Sequence, residues 1–136
     1  IFGQLYQEGI RFVLVQGGEP LLRTDLVDIL SDLCSLGLRP TVITNGTKLT
    51  ADLVARFASL RLPLSISLDT LDRTRYRLIR GADQLPQVLA GLGLLAEYPH
   101  SKFLTCIASN VNCEDVPDVV KRDPKVIEAY LGTAHA

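Results

Sequence analysis

The chain has 136 residues, of which 47% are hydrophobic and 21% charged, which suffices for one globular domain with a core and argues against disorder. Its formal net charge of −1 provides no basic field that would attract a nucleic acid. No apolar run reaches the roughly 18 residues that a membrane span needs. We therefore expect a cytoplasmic protein that binds neither nucleic acid nor membrane.

The opening residues predict the last turns of a helix. Ile1, Phe2, Leu5 and Tyr6 share one face, and Gly9 follows where a C-terminal cap belongs. The chain does not start with Met and contains none. We therefore expect this helix to begin upstream, within a longer reading frame.

Four short apolar runs, rich in leucine and β-branched residues, predict strands. They lie at 10–15, 40–44, 64–68 and 103–107. Because each run is continuously apolar rather than alternating, we expect both faces of every strand to be covered.

Three amphipathic stripes between these runs predict helices. Thr24 is the expected cap of the first stripe, which includes Cys34, and Thr50 is the expected cap of the second. The third runs from Leu85 to Leu95. The order βαβαβαβ requires crossover connections, and these imply a parallel sheet of the α/β class. Four such strands suit either an open sheet or an arc of a (βα) barrel.

Polar residues follow each predicted strand, at the sheet edge where parallel α/β folds bind ligands. In chain order they are Gln16-Gly17-Gly18-Glu19-Pro20, then Thr44-Asn45-Gly46, then Ser65, Ser67 and Asp69, and finally Ser109-Asn110-Val111-Asn112. These side chains are expected to collect on one rim.

The glycine pair of this rim allows the backbone to approach a ligand closely, and Pro20 stiffens the exit. Glu19 follows the glycines directly and no Lys-Ser/Thr pair comes after it, so the pattern of a phosphate-binding loop fails. The rim instead suits an amine or sugar hydroxyls. Arg80 is suited to pair with a carboxylate through its planar fork.

Four motifs in this order resemble those of the radical S-adenosylmethionine superfamily. They are Gly17-Gly18-Glu19-Pro20-Leu21-Leu22-Arg23, Thr44-Asn45-Gly46, Ser65-Ile66-Ser67-Leu68-Asp69 and Arg80-Gly81. The chain is most similar to the branch of cyclic pyranopterin synthases and SPASM-type peptide-modifying enzymes. The resemblance covers residues 1–120. It implies a parallel βαβαβαβ arc of a partial (βα)6 TIM-like barrel, incomplete at both ends.

The resemblance also implies S-adenosylmethionine as the small-molecule cofactor, held by residues that follow each strand. The motif for the methionyl amino group corresponds to Gly17, Gly18, Glu19 and Pro20, and the second polar strand end of the family corresponds to Thr44 and Asn45. The strand that faces the ribose and the carboxylate corresponds to Ser67 and Asp69, and Arg80 matches an arginine at that carboxylate. Asn112 matches an asparagine that closes the last strand.

Several of these positions have a second interpretation that stays open. Asn45 and Gly46 form a common turn dipeptide. Asp69 or Asp72 is suited to cap a helix beginning near Leu71. Arg80 ends a run of arginines of the kind that usually forms a solvated helical face.

Members of the family hold a [4Fe–4S] cluster through a CxxxCxxC loop, and these 136 residues do not contain that motif. Cys34, Cys106 and Cys113 also fit neither a disulfide framework nor a structural zinc site, and Cys34 is expected in the core. Without a cluster the radical reaction implied by the family does not start. We expect a radical S-adenosylmethionine enzyme fragment that is silent by itself; a non-catalytic binding module, a pseudoenzyme and a gene remnant remain alternatives.

Residues 121–136 predict a separate helical tail of different origin from the barrel segment. The stretch from Asp123 to Gly132 resembles the C-terminal end of ATP-binding subunits of branched-chain amino-acid transporters. No Walker motif accompanies it, so we expect no ATPase activity. An arc of four strands also leaves two sheet edges, through which chains are expected to associate.

Overall fold

Four parallel strands form one sheet in the order β1-β2-β3-β4. The structure, a computed structural model, describes residues 2–114. The strands are β1 (Phe12–Val15), β2 (Arg39–Thr44), β3 (Leu64–Ser67) and β4 (Lys102–Thr105). All three neighbouring pairs run parallel, because each connection crosses over through helical structure. The predicted α/β class is confirmed.

Helices connect these strands. They are α1 (Phe2–Gln7), α2 (Leu26–Ser35), α3 (Ala51–Ser59), α4 (Arg73–Arg80) and α5 (Leu85–Leu94), with a short 3₁₀ helix at Pro20–Leu22. The three predicted stripes correspond to α2, α3 and α5. Helix α4, the arginine run, is additional to them, so the connection between β3 and β4 contains two helices.

The helix caps follow the predictions in one case and depart from them in another. The Thr50 hydroxyl accepts a hydrogen bond from the Leu53 amide at 3.2 Å, which confirms Thr50 as the cap of α3. The expected cap Thr24 is wrong, because Asp25 occupies the N-cap of α2. The Asp25 carboxylate makes no capping bond and instead pairs with Arg23 at 2.7 Å.

The core lies between the helices and one face of the sheet. Val42, Leu64 and Ile66 of the central strands are fully buried. The helical side chains that pack in the same cluster are Leu26, Leu30, Phe57, Tyr76, Leu85, Val88 and Leu92. Cys34 is partly buried against this cluster, so its predicted place in the core is confirmed.

The opposite face of the sheet is open at its two edge strands. Phe12 and Leu14 of β1 are 72% and 62% exposed, and Phe103 of β4 is 52% exposed. The expectation that both faces of every strand are covered is therefore wrong for β1 and β4, because the helices pack on only one face. Association of chains through these edges stays a prediction, and the predicted tail 121–136 lies outside the described residues.

Candidate functional site

A small pocket opens where the first three strands end. Its volume is about 150 Å³, and it brings together seven of the ten residues predicted to bind a ligand. These are Gly17, Gly18, Glu19, Thr44, Asn45, Ser67 and Arg80, accompanied by Gln16 and Ile43. Pro20, Asp69 and Asn112 are the predicted residues outside the lining. The polar residues after separate strands thus converge on one rim, as expected for the carboxyl ends of parallel strands.

Glu19 joins the ends of β1 and β2 through its carboxylate. One oxygen, Oε1, accepts hydrogen bonds from the Leu21 amide at 3.1 Å and from the Thr44 hydroxyl. The other oxygen, Oε2, accepts from the Asn45 amide at 2.8 Å. Since each carboxylate oxygen has two acceptor positions, Oε2 keeps one for a donor in the pocket. The carboxylate is therefore held in place before any ligand binds.

The turn after β2 is built from its own side chains. Thr44 is buried, and its Oγ1 accepts from the Gly46 amide at 3.1 Å. Asn45 Oδ1 accepts from the Thr47 amide at 2.9 Å and from the Thr47 hydroxyl at 2.7 Å, while Gly46 adopts a left-handed φ of 76°. The turn interpretation of Asn45-Gly46 is therefore correct, and the same turn lines the pocket.

Helix α5 supports this turn from behind, which the sequence analysis did not predict. A Cβ placed on Gly91 would lie 2.5 Å from the Gly46 carbonyl oxygen, a distance that no side chain tolerates against backbone. The signal was a glycine inside a helical stripe, which often marks a close packing contact. Gly91 therefore belongs to the support of the site.

A buried Asp69 pairs with a partly exposed Arg80 at the third strand end. Arg80 Nη2 lies 2.6 Å from Asp69 Oδ2, and only 5% of the Asp69 side chain is exposed. The other oxygen, Oδ1, accepts from the Ile107 amide at 3.0 Å. Asp69 does not cap α4, because Asp72 Oδ1 accepts from the Arg75 amide at 2.7 Å. Of the two candidate caps, Asp72 is therefore the cap of α4.

Asn112 is fully buried and links the segments that follow β3 and β4. Its Nδ2 donates to the Asp69 carbonyl at 2.6 Å and to the Ile107 carbonyl at 3.0 Å. Its Oδ1 accepts from the Ser109 amide at 2.7 Å and the Ser109 hydroxyl at 2.8 Å. The amide is thus engaged by protein groups, and a direct contact of Asn112 with a ligand stays a prediction.

The described residues do not fit an iron–sulfur cluster. Within 2–114 no group of three or more His, Cys, Asp or Glu side chains is placed to hold a metal ion. Burial raises the pKa of the Cys34 thiol, which disfavours the thiolate that a cluster needs. Over the same range, none of the helices combines the length and hydrophobicity required to cross a bilayer.

A rim of polar groups beyond a parallel sheet is typical of ligand-binding α/β domains. Residues 1–122 match the sequence model of the radical SAM superfamily, and the chain belongs to this superfamily. Its members use S-adenosylmethionine with a [4Fe–4S] cluster. Residues 113–136 match a second model, described as "Branched-chain amino acid ATP-binding cassette transporter", in agreement with the resemblance of the tail.

Relatives with assigned activities are GTP 3',8-cyclases. The chain is 34% identical over 121 residues to the probable GTP 3',8-cyclase of Pyrococcus abyssi, covering 87% of this chain and 39% of that protein. It is 36% identical over 122 residues to the GTP 3',8-cyclase of Ectopseudomonas mendocina, covering 83% of this chain and 35% of that protein. The chain therefore spans little more than a third of the length of these relatives.

A solved structure shares the fold. The structure described as "Native anSMEcpe with bound AdoMet and Kp18Cys peptide" matches with a TM-score of 0.65 and 17% identity, covering 94% of this chain and 37% of that one. At this identity the likeness concerns the fold alone. The predicted parallel arc of a partial TIM-like barrel is confirmed.

Proposed function

We propose that this segment binds the methionyl end of S-adenosylmethionine in the rim pocket, as the corresponding part of an enzyme of the GTP 3',8-cyclase type. The observation that carries the proposal is the placement of Glu19 and Arg80 on one pocket of about 150 Å³. A carboxylate with a vacant acceptor position suits an α-ammonium group, and a guanidinium suits an α-carboxylate. An amino acid carries both groups on one carbon.

The size of the pocket limits which part of the cofactor it holds. Sites that enclose a whole drug-sized ligand usually measure about 300–1,000 Å³, and this pocket is well below that range. We infer that only the amino-acid end enters and that the nucleoside lies outside. Ser67 lines the pocket at the end of β3, and we infer that its hydroxyl forms a hydrogen bond with the ligand near the junction of these two parts.

S-adenosylmethionine supplies a sulfonium centre whose reductive cleavage yields a 5′-deoxyadenosyl radical in this superfamily. That cleavage needs an electron from a cluster held by several thiolates. Because Cys34, Cys106 and Cys113 do not form such a set, we propose that these 136 residues bind the cofactor without cleaving it. The contribution of this chain's own residues is to hold and orient the ligand, as a non-catalytic module also would.

Calorimetric titration with S-adenosylmethionine tests the proposal. Wild-type chain is expected to bind, and Glu19→Gln to bind at least about 10-fold more weakly, because the substitution removes a charge and opposes a side-chain amide to the Asn45 amide. Glu8→Gln, an exposed glutamate beyond the end of α1, serves as the matched control and should bind like wild type. A wild-type chain that releases no heat contradicts the proposal and favours the gene remnant. A Glu19→Gln variant with unchanged affinity contradicts the placement of the ligand's amino group at Glu19.

A further inference from the structure

Both carboxylate oxygens and the backbone carbonyl oxygen of Asp69 have partners within the protein. Oδ2 pairs with Arg80, Oδ1 accepts from the Ile107 amide, and the backbone carbonyl accepts from Asn112 Nδ2. The residue is 4% exposed and lies outside the lining of the rim pocket. Asp69 therefore lies outside the pocket, and its carboxylate contacts Arg80.

Arg80 is the member of this network that reaches the pocket. It is the last residue of α4, its side chain is 30% exposed, and it lines the pocket beside Ser67. A free arginine side chain samples many rotamers, and ordering it on binding costs conformational entropy. An ion pair that orders the guanidinium beforehand removes that cost.

A second ion pair, between Arg73 of α4 and Asp83, has the same contact distance but a different environment. Arg73 Nη2 and Asp83 Oδ2 are also 2.6 Å apart, but their side chains are 69% and 33% exposed. Exposed pairs of this kind contribute little, because water competes for both charges. The Asp69 carboxylate is shielded from that competition, and its Oδ1 accepts a hydrogen bond from the Ile107 amide. Asn112 holds the same residue through the Asp69 backbone carbonyl.

We propose that Asp69 is a positioning residue that aims Arg80 at the carboxylate of the ligand, and that Asn112 holds Asp69 by tying the segment after β4 to it. This inference rests on the proposed function, because it assigns a task to Arg80 within the same pocket. It replaces direct ligand contacts of Asp69 and Asn112 with an indirect role for both. The segment after β4 thus acts on the pocket through Asp69.

Binding of two ligands distinguishes positioning from a general structural role. The probes are S-adenosylmethionine and its decarboxylated analogue, which lacks only the carboxylate. Asp69→Asn is expected to weaken binding of S-adenosylmethionine about 10-fold, and that of the analogue less than about 2-fold. Asp83→Asn, the matched change in the exposed pair, should leave both affinities unchanged.

A double-mutant cycle tests whether Asp69 acts through Arg80. Arg80→Lys keeps the positive charge but loses the planar fork. In that background, adding Asp69→Asn should no longer change the ratio of the two affinities, because the route of its effect has been removed. An equal loss of both ligands in Asp69→Asn, or a full additional effect in the double variant, overturns the inference.

Nitrogen-15 relaxation of the arginine side chains gives a test that needs neither ligand nor variant. In the free wild-type chain the Arg80 Nε–H should have an order parameter near the value of about 0.85 found for rigid backbone, whereas exposed Arg77 should fall below about 0.6. Equal mobility of the two overturns the inference. A chain that orders Arg80 but binds no S-adenosylmethionine refutes the proposed function instead, so the two failures are distinguishable.

Discussion

The two ends of the sheet differ in the size and in the chemistry of their pockets, and the smaller pocket is the proposed site. At the amino-terminal end a hollow of about 750 Å³ is lined mainly by apolar side chains, among them Phe12, Leu38, Leu62 and Phe103. At the carboxyl end the pocket is about 150 Å³ but contains Glu19 and Arg80. Volume alone would select the amino-terminal end. The convergence of charged groups that are already fixed by hydrogen bonds identifies a binding site better.

The physical origin of this difference lies in how each end is held together. At the carboxyl end, side chains of the loops pair with one another across strands, as Glu19 does with the turn after β2. At the amino-terminal end the open face exposes Phe12 and Phe103, and apolar side chains fix no ligand orientation. Changes at the two ends should therefore separate binding from stability.

The largest effect, on both stability and binding, is expected from Gly91→Ala, which places a methyl group against the turn after β2. The new methyl group would lie 2.5 Å from the Gly46 carbonyl oxygen, so helix and turn must separate at a cost of about 1–3 kcal/mol. Because the displaced turn includes Asn45, we also expect weaker binding of S-adenosylmethionine. Urea unfolding and calorimetric titration measure the two effects.

Gly93→Ala is the matched control for this change. Gly93 belongs to the same helix and is exposed, and a methyl group added to it would meet no atom within 4 Å. The substitution should stabilise the chain by up to about 1 kcal/mol through helix propensity and leave binding unaltered. Equal behaviour of the two variants would show that the contact between α5 and the turn is unimportant.

A smaller effect, limited to stability, is expected from Tyr98→Phe near the amino-terminal end. The Tyr98 hydroxyl donates to the Leu62 carbonyl at 2.6 Å, two residues before β3, so the variant leaves a buried carbonyl unpaired at a cost of about 1–2 kcal/mol. Affinity for S-adenosylmethionine at pH 7 should not change. Lost affinity in a folded variant would argue against the separation of the two ends.

The pH dependence of this variant follows from the Tyr98 hydroxyl. Burial raises the pKa of Tyr98 above its usual value near 10. A folded-state pKa above the unfolded one stabilises the protein fully below pH 10, and that stabilisation is lost as the pH rises above 10 toward the folded-state pKa. Urea unfolding at pH 7 and pH 11 should therefore show the difference between wild type and Tyr98→Phe shrinking at high pH.

The smallest effects are expected from Phe12→Ser and Phe103→Ser on the open face. These side chains are 72% and 52% exposed, and substitutions at exposed positions usually change stability by about 0.5 kcal/mol or less. Binding of S-adenosylmethionine should equal that of wild type. A marked loss of affinity in either variant would move the site toward the amino-terminal end.

The convergence of polar residues on one rim, which the sequence predicted, depends on local patterns. Glu19 directly follows two glycines at a strand end, and Asn45 and Arg80 stand at the other polar positions. Once the strands are parallel, their carboxyl ends lie at one edge of the sheet, so the convergence of Glu19 and Asn45 needed no further information. Arg80, the last residue of α4, reaches the pocket through tertiary packing. Local patterns also predicted α2, α3 and α5, because apolar residues that recur at helical spacing indicate an amphipathic helix without information from the rest of the chain.

The pairing of polar groups was decided only by the tertiary structure. Asp69 was open to two roles, a ligand contact and a helix cap, and its neighbours in the chain did not show that Ile107 and Asn112, 38 and 43 residues away, would bind it. Asp25 occupies the N-cap of α2 that was expected for Thr24. Gly91 lies so close to the Gly46 carbonyl that no side chain fits between them. Hydrogen bonds and close contacts depend on distances in space, whereas composition, periodicity and strand order are properties of the chain itself. The sequence therefore determined the α/β arc and its rim, and packing determined which residues face the pocket and which hold them.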